Sequence, residues 1–86
     1  MTIAKDPSKF VETQIDDEVV LMDLASGDFF SLDGTSLAIW RMIDGSRDEA
    51  QIVSAIAKEY GVEAAQVAAD VGAFLSDLGA LGLIDR

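Results

Sequence analysis

Between Asp28 and Trp40 the chain changes period. Phe29, Phe30 and Leu32 lie in a short run bounded by Asp28 and Asp33, and Asp33-Gly34-Thr35-Ser36 then supplies turn and capping chemistry. Leu37, Ile39, Trp40 and Ile43 come next at helical spacing. The chain before this segment therefore reads as strand, and the chain after it reads as helix.

Upstream, Val11, Thr13 and Ile15 alternate with Glu12 and Gln14, which predicts a half-buried strand over 10–15. Asp16-Asp17-Glu18 predicts a charged turn. The apolar run from Val19 to Leu24 predicts a middle strand covered on both faces. Ala25-Ser26-Gly27 predicts a short loop, so Asp28 to Leu32 forms a third antiparallel strand. Residues 1–9, polar with one proline, are expected to form a flexible lead-in to a single domain over 10–86.

Downstream, a first helix capped by Asp33 or Thr35 is expected to stop at Asp44-Gly45. Ser46 with Glu49 has the spacing of a capping box for a second helix running to Tyr60, with Ile52, Val53, Ile56 and Tyr60 on one face and Gly61 ending it. Glu63 with Gln66 repeats the box. A third helix is predicted from Ala64 to Leu78, with Val67, Val71, Phe74, Leu75 and Leu78 as its apolar stripe, and Leu83-Ile84 packing back on the bundle. The fold class is α+β: a three-stranded antiparallel sheet followed by three helices, like a winged helix-turn-helix with its sheet placed first.

Composition removes whole classes of chemistry. The chain has no cysteine and no histidine, so thiolate and imidazole metal sites, disulfides and Ser-His or Cys-His nucleophiles are excluded. Neither a metal site nor a cofactor is expected, and the carboxylates of Asp16, Asp17 and Glu18 read as a solvated turn. A net charge of −10 repels phosphate backbones and anionic lipid and favours a basic partner. No Lys or Arg lies between Lys58 and Arg86, so the third helix lacks the side chains that a DNA-reading helix uses. No apolar run approaches the roughly 18–20 residues that span a bilayer. The expectation is a cytoplasmic protein that engages neither nucleic acid nor membrane.

Val20-Leu21-Met22-Asp23, Gly27-Asp28-Phe29-Phe30-Ser31-Leu32-Asp33, Ala38-Ile39-Trp40 and Ile43-Asp44-Gly45-Ser46 together resemble the PqqD-like family. Tyr60-Gly61-Val62, Asp70-Val71, Phe74-Leu75 and Leu81-Gly82-Leu83-Ile84 continue the match. The resemblance implies a non-catalytic recognition element of the kind found in pathways to pyrroloquinoline quinone, lasso peptides and radical-SAM-modified peptides. Such a domain binds the leader of a ribosomally made precursor peptide and presents it to a modifying enzyme, such as a radical-SAM enzyme or a leader protease. Carried over by position, the leader would add to the third strand, in a groove lined by Phe29, Phe30, Ser31 and Leu32 and by Val67, Asp70, Val71, Phe74 and Leu78.

The residues themselves bear on that expectation. A terminal strand of a meander has one unpaired edge where an extended peptide can dock, and Asp28 and Asp33 flank it with charge that discourages self-pairing. Phe29 and Phe30 must point to opposite faces, so one can fill the core and the other can line a groove, and the spacing leaves open which does which. Trp40 reads as core. Ala65, Ala68, Ala69, Gly72 and Ser76 make a small-residue series on the third helix, suited either to helix propensity or to close approach of another chain. The alternatives are a homodimeric assembly module using the same edge and, after it, a winged-helix transcription regulator.

Overall fold

The structure, a computed structural model, describes residues 1–85. Its elements run β1 (Ala4–Lys5), β2 (Phe10–Ile15), β3 (Glu18–Asp23), β4 (Phe29–Leu32), α1 (Gly34–Met42), α2 (Glu49–Tyr60), α3 (Ala64–Ala80) and β5 (Ile84–Asp85). The strands β2, β3 and β4 form an antiparallel meander in that order, the three-stranded sheet expected, and the three helices come after it. Register places Glu12 opposite Leu21 and Leu21 opposite Phe30, so these three residues form one row across the sheet.

The hairpins are set by local chemistry. Asp16 takes a left-handed φ of 52° in the β2–β3 turn, a conformation Asp tolerates better than most residues. Before β4, Gly27 at φ 79° donates its N–H to the Asp23 carbonyl at 2.7 Å, while the Asp23 N–H donates to the Asp28 carbonyl at 2.8 Å. The buried Asp23 carboxylate accepts the Ala25 N–H at 2.9 Å and closes the loop. Two residues thus oppose one at the start of β4, a glycine bulge that aims the strand.

The sheet departs from the sequence reading in which face of β2 is covered. Val11 and Ile15 are 46% and 53% exposed, whereas Glu12 and Gln14 point at α1. Trp40 Nε1 donates to Glu12 Oε1 at 2.8 Å, and Arg41 Nη2 donates to Gln14 Oε1 at 3.0 Å. The alternation is real but inverted: Glu12 and Gln14, though exposed, lie on the α1 side with Phe10, the one buried residue of β2. For the same reason β3 is covered on one face, with Val19, Leu21 and Asp23 buried and Val20 and Met22 half-buried.

Asp33 is the extended residue before α1, where Ser36 Oγ accepts the Asp33 N–H at 3.3 Å. The cap of α2 is Asp48, not Ser46. Its carboxylate accepts the Gln51 N–H and Gln51 Oε1 accepts the Asp48 N–H, both at 2.8 Å. Ser46 is engaged elsewhere, donating its N–H and hydroxyl to the Asp44 carboxylate, which those bonds hold below its ordinary pKa. Glu63 and Gln66 form the expected box at the start of α3, with Gly61 left-handed between α2 and α3.

The amino-terminal residues are not a loose lead-in. Ile3 is buried, its N–H donates to the Arg47 carbonyl at 2.8 Å, and β1 pairs antiparallel with β5. Ile3, too isolated in sequence to announce an element, closes the core together with Leu83 and Ile84, which pack back as expected. At its centre Trp40 is wholly buried, edge-on to Phe10 with ring centroids 5.2 Å apart, and Lys5 Nζ stands 4.5 Å from the indole centroid. Burial lowers the Lys5 pKa against the opposing pull of Glu12 and Asp44. Among the described residues no helix is long and apolar enough to cross a membrane.

Trp40→Ala should lower the unfolding free energy by about 3–5 kcal/mol, read from urea denaturation by circular dichroism. Trp40→Phe fills most of the space and loses the indole hydrogen bond to the Glu12 carboxylate, which stays solvated, for a smaller loss of about 1–2 kcal/mol.

Candidate peptide-binding groove

The β4 strand is the end of the meander, and its hydrogen-bonding parity fixes what it offers. Antiparallel pairs alternate between bonded and non-bonded positions, and Asp23–Asp28 is a bonded pair. Leu21–Phe30 and Val19–Leu32 are then bonded as well, whereas Phe29 and Ser31 turn their N–H and C=O groups away from β3. The free edge therefore presents the backbones of Phe29 and Ser31. These are two donors and two acceptors at alternate positions, as an added strand requires.

Beside that edge lies a groove of ≈ 440 Å³ between the sheet and the carboxyl-terminal half of α3, lined by Leu21, Phe30, Leu32, Phe74, Asp77, Leu78, Ala80 and Leu81. Its floor is made of buried Leu21, Leu32 and Leu78, and half-buried Phe30 and Phe74 form its walls. Residues of an amphipathic helix and of a pleated strand line this space together, which leaves an apolar trough beside the free edge of β4. It can hold the alternate side chains of an extended peptide while the edge holds its backbone.

The structure distributes the expected site residues unevenly. Phe30, Leu32, Phe74 and Leu78 line the groove. Phe29 is the outward member of the aromatic pair, 68% exposed on the far face of the sheet. Ser31 lies on that same far face, where its hydroxyl donates to Glu18 Oε2 at 2.6 Å, so both contribute backbone only. Val71 is wholly buried and Val67 packs half-buried against the core. Asp70 is exposed on α3 outside the groove lining. Leu21, Asp77, Ala80 and Leu81 are additions to the expected lining, although Asp77 and Leu81 come after Phe74 at helical spacing, three and seven residues on. Of the small-residue series, Gly72 faces α2, where an added Cβ would stand 3.4 Å from Glu49 Oε2, and Ala65, Ala68, Ala69 and Ser76 are exposed.

Residues 18–84 match the family described as "Coenzyme PQQ synthesis protein D (PqqD)". The chain belongs to the PqqD family. Among solved structures, TbiB1 in complex with the TbiA(beta) leader peptide is similar over 99% of this chain and 95% of that one, at 35% identity and a TM-score of 0.80. Lasso peptide synthetase B1 complexed with the leader peptide covers 100% of both chains at 23% identity and a TM-score of 0.82, and shares the fold. No curated protein sequence matches the chain.

The two phenylalanines should separate cleanly in a stability assay. Phe29→Ser should change the unfolding free energy by less than about 0.5 kcal/mol, and Phe30→Ser should lower it by about 1–3 kcal/mol. Equal effects in chemical denaturation would contradict the assigned faces.

Proposed function

We propose that this PqqD-family chain is a non-catalytic adaptor that captures the leader of a ribosomally made precursor peptide and presents it to a separate modifying enzyme. The observation that carries the reading is the free β4 edge running beside an apolar groove on α3. The leader adds as a fourth strand on the backbones of Phe29 and Ser31. Its alternate side chains settle against Phe30, Phe74 and Leu78. Similarity to TbiB1, which is described in complex with a leader peptide, supports the same role here.

Capture needs no chemistry from the adaptor. It replaces a mobile leader by one held in register, so that the remainder of the precursor projects from a fixed point toward the enzyme. The net charge of −10 favours leaders carrying lysine or arginine and makes affinity fall with ionic strength.

The test is a fluorescence-anisotropy titration of the chain into the labelled leader half of a candidate precursor peptide, at low and high salt. Saturable binding that weakens with salt is expected. Proline is tolerated on an edge strand, so Ser31→Pro should leave the unfolding curve nearly unchanged while removing an edge donor and weakening the leader about tenfold. Undiminished binding by a folded Ser31→Pro protein would rule out strand addition at β4. Absence of binding by a chain that is dimeric in solution would favour an assembly module instead.

A further inference from the structure

Seven of the eight residues lining the groove are apolar, and the eighth is Asp77. Its carboxylate is exposed and makes no hydrogen bond or ion pair among the described residues. Its position on α3 is electrostatically unfavourable. The Leu81 N–H donates to the Asp77 carbonyl at 3.1 Å, which puts Asp77 in the closing turn, and no basic residue stands there to offset the negative end of the helix dipole. Beyond Lys58 the described residues include no lysine or arginine. A negative charge is thus held at an apolar groove, at the end of a helix that disfavours it, with no cation on α3 to balance it.

We propose that Asp77 sets the chemical class of leader that the groove accepts: a segment whose groove-facing side chains pair one large apolar residue with a lysine or arginine at the neighbouring groove-facing position. The inference rests on the leader-binding reading above and specifies its ligand. A strand added to β4 sends every second side chain to the groove, at intervals of about 6.6–6.8 Å. Phe74 and Asp77, three residues apart on one face of α3, are spaced about 5–6 Å at Cβ. Two successive inward side chains of the leader therefore reach both. The apolar one seats against Phe30 and Phe74. The long stem of the basic one lies over Leu78 and Leu81 and carries its charge to the Asp77 carboxylate.

Asp70 supplies an internal control, because it lies on the same helical stripe, four residues before Phe74, but outside the groove lining. The experiment titrates the full chain and its Asp77→Asn and Asp70→Asn variants into two labelled peptides. One is the leader half of the candidate precursor that the unmodified chain binds, and the other is the same peptide with every lysine and arginine replaced by glutamine. With the native leader, Asp77→Asn should weaken binding about fivefold and Asp70→Asn less than about twofold. With the glutamine peptide, both variants should bind as the unmodified chain does. Equal losses for Asp70→Asn and Asp77→Asn, or an Asp77→Asn loss that persists with the glutamine peptide, would overturn the assignment and leave leader binding intact. Failure of the unmodified chain to bind any candidate leader would overturn the underlying reading, and the assignment with it.

Discussion

The hydrogen bond from the Trp40 indole to Glu12 sets the orientation of the whole sheet. Trp40 is wholly buried, and its N–H needs an acceptor. Glu12 supplies one, and the pleat then turns Phe10 and Gln14 inward and Val11, Thr13 and Ile15 outward. Register carries that choice across the strands, because Glu12 opposes Leu21 and Leu21 opposes Phe30. A bond at one end of the row thus fixes, at the other, which phenylalanine enters the groove. Phe10 edge-on to the indole and Lys5 above it tie β1 and β2 to the same ring, so the termini, the sheet and α1 share one anchor.

The glycine bulge at Gly27 completes the arrangement from the other side. It makes Asp23–Asp28 a bonded pair, and the alternation beyond it leaves Phe29 and Ser31 with their backbone groups turned outward. Face and edge are coupled: in a strand of L-residues the face a side chain takes fixes the side its N–H and C=O take. Phe30, with its ring in the trough, therefore pairs with β3, and Phe29 and Ser31, with side chains on the far face, offer donors and acceptors at the free edge. An extended peptide needs both at once, since backbone pairing without the trough is indiscriminate and the trough without the edge gives no register.

The elements that read clearly from the sequence are those specified locally. The three helices announce themselves by period, and β3 and β4 by composition and the intervening glycine, because none of these depends on a distant partner. The parity of β2 is not legible. Val11, Thr13 and Ile15 look like a buried face, but buried Phe10 and the bond from a tryptophan 28 residues beyond Glu12 put the other face toward α1. The cap of α2 misleads for a related reason: Ser46 has the correct spacing to Glu49, but Asp44 takes its hydroxyl, and Asp48 with Gln51 forms the box. Ile3 carries no period at all and gains its place only when β5 comes back beside β1. For the groove, the third strand and the apolar stripe of α3 are visible in the sequence. How far round the helix the trough extends is not, because that depends on the angle between α3 and the sheet, and Val71 falls inside the core while Asp77 falls on the groove lining.

A short, open, half-apolar edge is a hazard to the chain that carries it, and the same carboxylates that make it selective also protect it. If two copies joined antiparallel through β4, the Asp28 end of one strand would lie beside the Asp33 end of the other, and each copy would bring a net charge of −10 to the contact. The repulsion acts on any acidic strand and is reversed for a basic one. The charge that disfavours edge-to-edge pairing with a second copy is, in the proposed reading, the same charge that would attract a lysine- or arginine-bearing peptide. Specificity then divides by range. In the proposed reading, the acidic field would steer cationic segments toward the edge over about a Debye length, strand pairing would set their register, and the trough on α3 would select among them by contact.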